Sequence, residues 1–354
     1  RTLLVRLEFA SFRRSKSCTH DTTNFGASKK FGLIECITPR KFALTRQIGY
    51  FYLLLDCSKK NLIRSLQADT PSTCIHMGLM KTGSTYLQTR IFPRLKGVHY
   101  VHGMESFYKG RNFTFGTFDP LIISNEGLSG NWYKDHSCGL DYFERFTTSI
   151  QNIHRIFKHP KIIVVFREPS RFIYSSYKQS LHEKGTKPWT EFFPYPDLDD
   201  DYLDQFRFSK FASYLISQCD EKNVLLLDFS QLKTDPHQFV DKIKKFCLPP
   251  SVYQQNLSVQ LPVESRSNPA VSDSYEWVLI KGNKASAFTE KHLGFPLKVK
   301  VGRIELSINS IARYILPKTT SKSPVPYLSD LRKYYEEDWA KTVQLIRENE
   351  KVHG

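Results

Sequence analysis

From Ser72 onward, short runs of consecutive apolar residues alternate with longer stretches in which apolar positions recur every three or four residues. The runs fall at about 73–78, 98–101, 121–124, 161–166 and 224–227. Strands that are apolar on every position belong to a parallel sheet covered on both faces, because neither side of the strand meets water. Between them the spacing predicts helices over 84–92, 140–157, 169–182, 202–218 and 236–246. In the second of these, Phe143, Phe146, Ile150, Ile153 and Phe157 make one core-facing stripe. The last opens with Asp235 as N-cap and Pro236 at the first helical position.

Strands alternating with helices imply right-handed crossovers and an α/β fold, a parallel sheet flanked by helices on both faces. After about 260 the chain reads as mainly helical and ends in an amphipathic helix near 326–348. The stretch 184–201, rich in Pro, Trp, Phe, Tyr and Asp, reads as a surface excursion. The aromatic residues of 187–206 suit either a lid over a ligand or a local hydrophobic patch. Residues 1–70 lack a clear period and read as a basic, poorly ordered N-terminal extension to a domain spanning 71–354.

Chemistry concentrates where the first strand ends. Gly78-Leu-Met-Lys81-Thr82-Gly83-Ser84-Thr85-Tyr86 is a strand exit, a tight loop and a helix start. A loop of this kind aims backbone N–H groups and the positive end of a helix at one spot, which suits a phosphate. The nucleoside-triphosphate loop places its lysine after the second glycine; here Lys81 precedes Gly83. A second feature follows the 161–166 run: Arg167-Glu168-Pro169-Ser170, then Ser175 two helical turns on. Arg167 stands at a strand's carboxyl end, where ligands bind in open parallel sheets.

The two motifs, in this order and 86 positions apart, resemble those of the sulfotransferases that use 3′-phosphoadenosine 5′-phosphosulfate (PAPS) as donor. The resemblance is strong over about 72–250. It implies a P-loop-like sheet with a helical C-terminal part, PAPS as co-substrate and no metal. It implies that Lys81, Thr82, Gly83, Ser84, Thr85 and Tyr86 surround the 5′-phosphosulfate, with Lys81 at the leaving oxygen. Arg167 and Ser175 would hold the 3′-phosphate, a forked guanidinium and a hydroxyl sharing its oxygens.

Removing the acceptor's proton needs a base. Glu126, in Ser124-Asn125-Glu126-Gly127 after the 121–124 strand, is the leading candidate; His99 and His102 are rivals with the better intrinsic pKa. The family's carbohydrate-type members carry a glutamate after a strand here, so the resemblance implies a carbohydrate or glycoconjugate hydroxyl as acceptor. Tyr174, Tyr177 and Lys178 would either touch the nucleotide or pack the helix, and Arg171 would either add charge at the phosphate or pair with Glu168. The 264–268 segment matches no defined pattern closely enough to assign Arg266 or Asn268.

Composition adds limits. The formal net charge is +16, and residues 1–66 hold thirteen Lys or Arg against four Asp or Glu. A basic surface fits polyanionic partners, but no finger, RNA-recognition or helix-turn-helix pattern points to nucleic acid. The seven cysteines show no C-x-x-C spacing and read as mostly reduced, with Cys219 and Cys247 left open as a pair. The longest early apolar segment, 48–55, is too short to span a bilayer. The lack of a signal or spanning segment in this sequence favours the cytoplasm, and a chain that opens on Arg1 leaves an upstream segment open. Sequons at Asn112 and Asn256 carry little weight. Two other readings stay open: a P-loop kinase using Mg-ATP, and an inactive glycan-binding module of the same fold.

Overall fold

The computed structural model describes residues 72–103, 120–137, 141–157, 159–257, 276–293, 298–301, 304–307 and 326–354. Residues 1–71, the Asn112 sequon and the 264–268 segment lie outside the described residues. Five parallel strands form the central sheet: β1 (Thr73–Met77), β2 (His99–His102), β3 (Leu121–Ser124), β4 (Lys161–Phe166) and β5 (Val224–Asp228), in the order β2-β3-β1-β4-β5. The expected α/β sheet is therefore present, with β1 at its centre.

Strand alternation divides the sheet's apolar residues between two cores. Ile75, Met77, Ile162, Val164 and Phe166 face one layer, and Cys74, Ile122, Ile163 and Val165 the other. The first layer is covered by α2 (Trp132–Ser137), α3 (Tyr142–Ile156), α4 (Pro169–His182), α5 (Trp189–Phe192), α6 (Asp200–Asp204) and α7 (Phe208–Gln218). The second is covered by α1, which is Ser84–Tyr86 continuing as a π turn over Leu87–Ile91, and, beyond α8 (Phe229–Thr234), by α9 (Pro236–Cys247). Burial on both faces is the physical reason β1, β3, β4 and β5 read as mainly apolar runs, whereas β2, at the edge, is only partly buried.

Several expectations need correction or refinement. The stretch 184–201 is exposed along most of its length, as expected of a surface excursion, but two of its rings turn into the core. Trp189 and Phe193 are buried and stacked, and both belong to the first core. Composition did not show this because its prolines and aspartates mark turns while these two rings point inward. The predicted helix 202–218 is two helices, broken between Asp204 and Phe208. Past α10 (Pro250–Gln255) and α11 (Glu276–Leu293), the described C-terminal part is mainly helical as expected, with one addition: β6 (Lys298–Val301) and β7 (Ile304–Ser307) form an antiparallel hairpin. The Cys219–Cys247 pair left open from the sequence is not formed, and both thiols are free. The Cys247 thiol lies 2.8 Å from that of Cys74, and Cys219 lies 3.2 Å from His154. Asn256 is buried, its amide bonded to Lys96 O.

The chain ends in α12 (Leu328–Tyr334) and α13 (Glu336–His353). Among the described residues no helix is long and apolar enough to cross a membrane. Helix α13 closes the sheet's β5 edge. The buried Asn349 accepts from Leu226 N–H (2.9 Å) and donates to Val224 O (3.0 Å), pairing backbone groups that an edge strand otherwise leaves open. Val224 O also has His353 at 2.6 Å, so Leu226 N–H is the group at risk. Replacing Asn349 by Ala should cost about 1–3 kcal/mol for that stranded donor. Urea unfolding would measure it, and a loss within experimental error would show that the edge does not depend on Asn349.

Candidate active site

Strands β3, β1 and β4 are neighbours, so the turns at their carboxyl ends meet. The turn after β1 is shaped by two glycines. A Cβ on Gly78 would fall 2.2 Å from Ser84 Oγ and 3.2 Å from Glu126 Cγ. Gly83 has φ 90°, and a Cβ there would meet Leu232 at 2.6 Å. Lys81 itself adopts φ 61°, the left-handed region that non-glycine residues enter only when their surroundings hold them there. Thr82 Oγ1 donates to Leu79 O (2.6 Å), and Ser84 Oγ points at the same carbonyl (3.4 Å). These two buried hydroxyls brace the loop from within. Tyr86 N–H donates to Gly83 O (2.9 Å), leaving the N–H groups of Gly83, Ser84 and Thr85 at the open end of α1.

Arg167 joins this loop to β4. Its Nη1 donates to Lys81 O (2.9 Å) and to Ser175 Oγ (3.0 Å), and its guanidinium lies 5.1 Å from the Phe229 ring. Burial pulls its pKa down to about 10, with Arg171 adding to the shift, so it stays charged at neutral pH. Its Nε is buried and has no hydrogen-bond partner among the described residues. A buried guanidinium N–H without an acceptor is costly, and an anion at this point would supply one. Glu168 caps α4 by accepting from the N–H groups of Ser170 and Arg171. The exposed Arg171 side chain lies 3.9 Å from that carboxylate, which is the pairing alternative weighed from sequence.

Glu126 begins a 3-10 turn (Glu126–Leu128) after β3. Asn125 caps the turn by accepting from Gly127 N–H (2.9 Å), and Ser129 Oγ donates to Gly78 O (2.8 Å), fastening the turn to the end of β1. Burial raises the pKa of the Glu126 carboxyl. A hydrogen bond from Ser84 and the charge of Lys81 act the other way, and nearby Glu183 adds to the rise. Glu126, Ser84 and Lys81 thus share one electrostatic environment. His99 and His102 sit on β2, one strand further out, and His102 is exposed with its ring stacked on Tyr100. His76 on β1 is fully buried, and desolvation holds it neutral with a pKa near 3.

Sequence reasoning missed a group on α4. Lys81 Nζ donates to Gln179 Oε1 (3.3 Å), and Gln179 Nε2 donates to Glu183 Oε1 (2.9 Å). Glu183 also accepts from Tyr133 OH (3.0 Å) and pairs with Lys134 (2.6 Å). A carboxylate only accepts, so Glu183 fixes which end of the Gln179 amide faces Lys81. The signal was present: Ser175, Gln179 and Glu183 are spaced i, i+4, i+8 on one helix face. Tyr174, Tyr177 and Lys178 all engage Glu276 of α11 (2.8, 3.1 and 2.9 Å), so they pack that helix onto α4.

A family model described as "Sulfotransferase family" matches residues 64–250. Among solved structures the chain is similar to a sulfotransferase from Alicyclobacillus acidocaldarius, at 12% identity and TM-score 0.42, over 78% of this chain and 96% of that one. It is also similar to mouse sulfotransferase SULT7A1 complexed with PAP, at 14% identity and TM-score 0.33, over 82% of this chain and 94% of that one. No curated protein matches it in sequence.

The raised Glu126 carboxyl has a consequence for stability. Its proton is held more tightly in the folded chain than in the unfolded one, so ionising it at neutral pH destabilises the fold. Glu126→Gln should therefore unfold at higher urea than the wild type at pH 7. The gap should close as pH falls through the raised pKa toward the unfolded value of about 4.3. Equal midpoints at pH 7, or a gap that widens in acid, would contradict the assignment of a desolvated carboxylate.

Proposed function

The chain belongs to the sulfotransferase family, and from that premise we propose that it transfers a sulfuryl group from PAPS to a hydroxyl of a carbohydrate or glycoconjugate. The observation that carries the reading is the clasp at Arg167, which draws the Lys81 loop and Ser175 of α4 onto one point. The donor's two ends would sit on the two sides of that clasp. Its 3′-phosphate would take Arg167, whose Nε lies buried with no acceptor among the described residues, together with Ser175. Its 5′-phosphosulfate would take the N–H groups of Gly83, Ser84 and Thr85 and the charge of Lys81.

In the transfer, the acceptor oxygen forms a bond to sulfur as the bond between sulfur and the 5′-phosphate oxygen breaks. Glu126 takes the acceptor's proton, and its raised pKa moves it toward the range in which a carboxylate is an effective base. Lys81 neutralises the charge that develops on the departing phosphate oxygen. Both products are thereby balanced: a sulfate ester on the acceptor, and 3′-phosphoadenosine 5′-phosphate with the proton left on Glu126. Support for a sugar acceptor is the carboxylate base itself, which resembles the arrangement in the family's carbohydrate-type members.

Titration calorimetry with 3′-phosphoadenosine 5′-phosphate tests the donor site, with Mg-ATP as the control. The wild type should bind the bisphosphate in preference to Mg-ATP, and Arg167→Ala should weaken it about tenfold or more, the loss expected for one or two charge-assisted hydrogen bonds. No binding, or preference for Mg-ATP, would replace this reading with a kinase. On an acceptor found by screening, Glu126→Gln should lower kcat by roughly 10²–10⁴ with the bisphosphate affinity unchanged. Unaltered turnover would remove Glu126 from the mechanism and leave the β2 histidines as candidates.

The amide relay yields a separate test. Gln179→Leu keeps size but frees Lys81 Nζ from Oε1, so kcat should fall about tenfold, equivalent to about 1.4 kcal/mol of barrier, while bisphosphate affinity changes little. Because Glu183 acts through the Gln179 amide, Glu183→Gln added to Gln179→Leu should cost little more. Fully additive losses would mean the two residues act independently.

A further inference from the structure

We propose that the outward face of α11 is a binding surface for an acidic polysaccharide. On the 100° per residue helical wheel, Trp277, Lys281, Lys284, Phe288, Lys291 and His292 fall within an arc of about 100°, spread over roughly 22 Å of helix. All six are exposed, and Trp277 and Phe288 are each 61% accessible. The opposite side of the same helix is buried through Leu279 and Asn283. Both acidic residues of α11 lie away from the exposed arc and are already paired. Glu276 takes Lys178 and the two tyrosines of α4, and Glu290 meets Lys184 at 3.2 Å. The outward face therefore carries aromatic rings and cations without a single carboxylate.

Each ring has a nitrogen-bearing neighbour one turn on. Lys281 Nζ lies 5.4 Å from the Trp277 ring centroid, and the His292 ring lies 4.4 Å from that of Phe288. Such a pair offers a flat apolar face to the C–H side of a sugar ring and a donor to its carboxylate or sulfate group. The chemistry favours this occupant over two others. A bilayer needs a broad apolar face, and here two large apolar side chains stand eleven positions apart. Single-stranded nucleic acid is held in a groove that tracks its backbone, whereas this row of side chains stands on the outward side of a single helix. The helix is tied to the rest of the fold by Glu276 and by Asn283, which donates to Leu181 O and Gly185 O (both 2.8 Å). The surface lies outside the donor pocket and does not depend on the transfer reaction.

The test uses the full chain and a size-defined heparin oligosaccharide, with a neutral maltooligosaccharide as control. The heparin fragment should bind and the neutral one should not. Lys281→Glu/Lys284→Glu/Lys291→Glu should weaken binding by about tenfold or more, and Trp277→Ala by several-fold. A second triple variant, Lys333→Glu/Lys341→Glu/Lys351→Glu, makes the same change in net charge at exposed positions of α12 and α13 and should bind nearly as the wild type does. Equal losses in both triples would reduce the effect to overall charge and overturn the proposal. So would absence of heparin binding, or equal competition by phosphatidylserine vesicles or a single-stranded oligonucleotide. Bisphosphate titration of the α11 triple, expected to match the wild type, reads the donor site separately, so failure of either idea is seen by itself.

Discussion

The hydrogen bond from Arg167 to the carbonyl of Lys81 is the contact on which the site depends. It spans 86 residues of sequence and joins two adjacent strand ends. Lys81 is in a left-handed conformation that costs about 1–3 kcal/mol for a residue with a side chain. The strain persists because the carbonyl is held by a buried guanidinium on one side and the loop is braced by Thr82 on the other. The same guanidinium orients Ser175 on α4. One cation thus sets the loop's backbone, the lysine's direction and the position of a helix hydroxyl. Its own burial lowers its pKa without discharging it at neutral pH.

A second constraint is the close packing of the turns after β1 and β3. Gly78 has no room for a Cβ because Ser84 and Glu126 fill the space above it. Ser129 fastens the Glu126 turn to the Gly78 carbonyl, so the carboxylate and the loop move as one body. A reacting group placed on such a support needs little reorganisation, the condition for positioning to lower a barrier. On the far side, the Lys81–Gln179–Glu183 chain ties the lysine to Tyr133 and Lys134 on the helix that follows the Glu126 turn. The lysine is therefore held from both directions.

The sheet was legible because β1, β3, β4 and β5 are buried on both faces and their polar positions are few and mostly at strand ends. The helix starting at Pro169 and the one starting at Pro236 were legible because proline and an acidic cap mark their first turns. The loop and Arg167 were legible as motifs, since tight turns demand glycine and fixed residue types. What remained hidden depends on tertiary partners. Trp189 and Phe193 sit in a stretch whose composition says surface, and only the packing of Phe206 and Trp132 against Phe193 shows them to be core. The meeting of the Ser84 hydroxyl with Glu126, forty-two residues away in the chain, is likewise tertiary, and no local pattern carries that information.

The distribution of charge also separates two kinds of positive group in this basic chain. Arg167 and Lys178 are buried or nearly so, and each is held by specific acceptors: a carbonyl and a hydroxyl for the first, the Glu276 carboxylate for the second. Such groups have lost their water and interact strongly with whatever enters beside them. The lysines of α11 are exposed, so each adds little by itself and acts only as part of a row. Glu276 connects the two classes. It neutralises the buried Lys178 and pins its side of α11 to α4, while Glu290 stays exposed beside Lys184 and off the arc that carries the helix's cations. A net charge of +16 says only that anions are welcome; the placement of the carboxylates decides which positive groups are left to meet them.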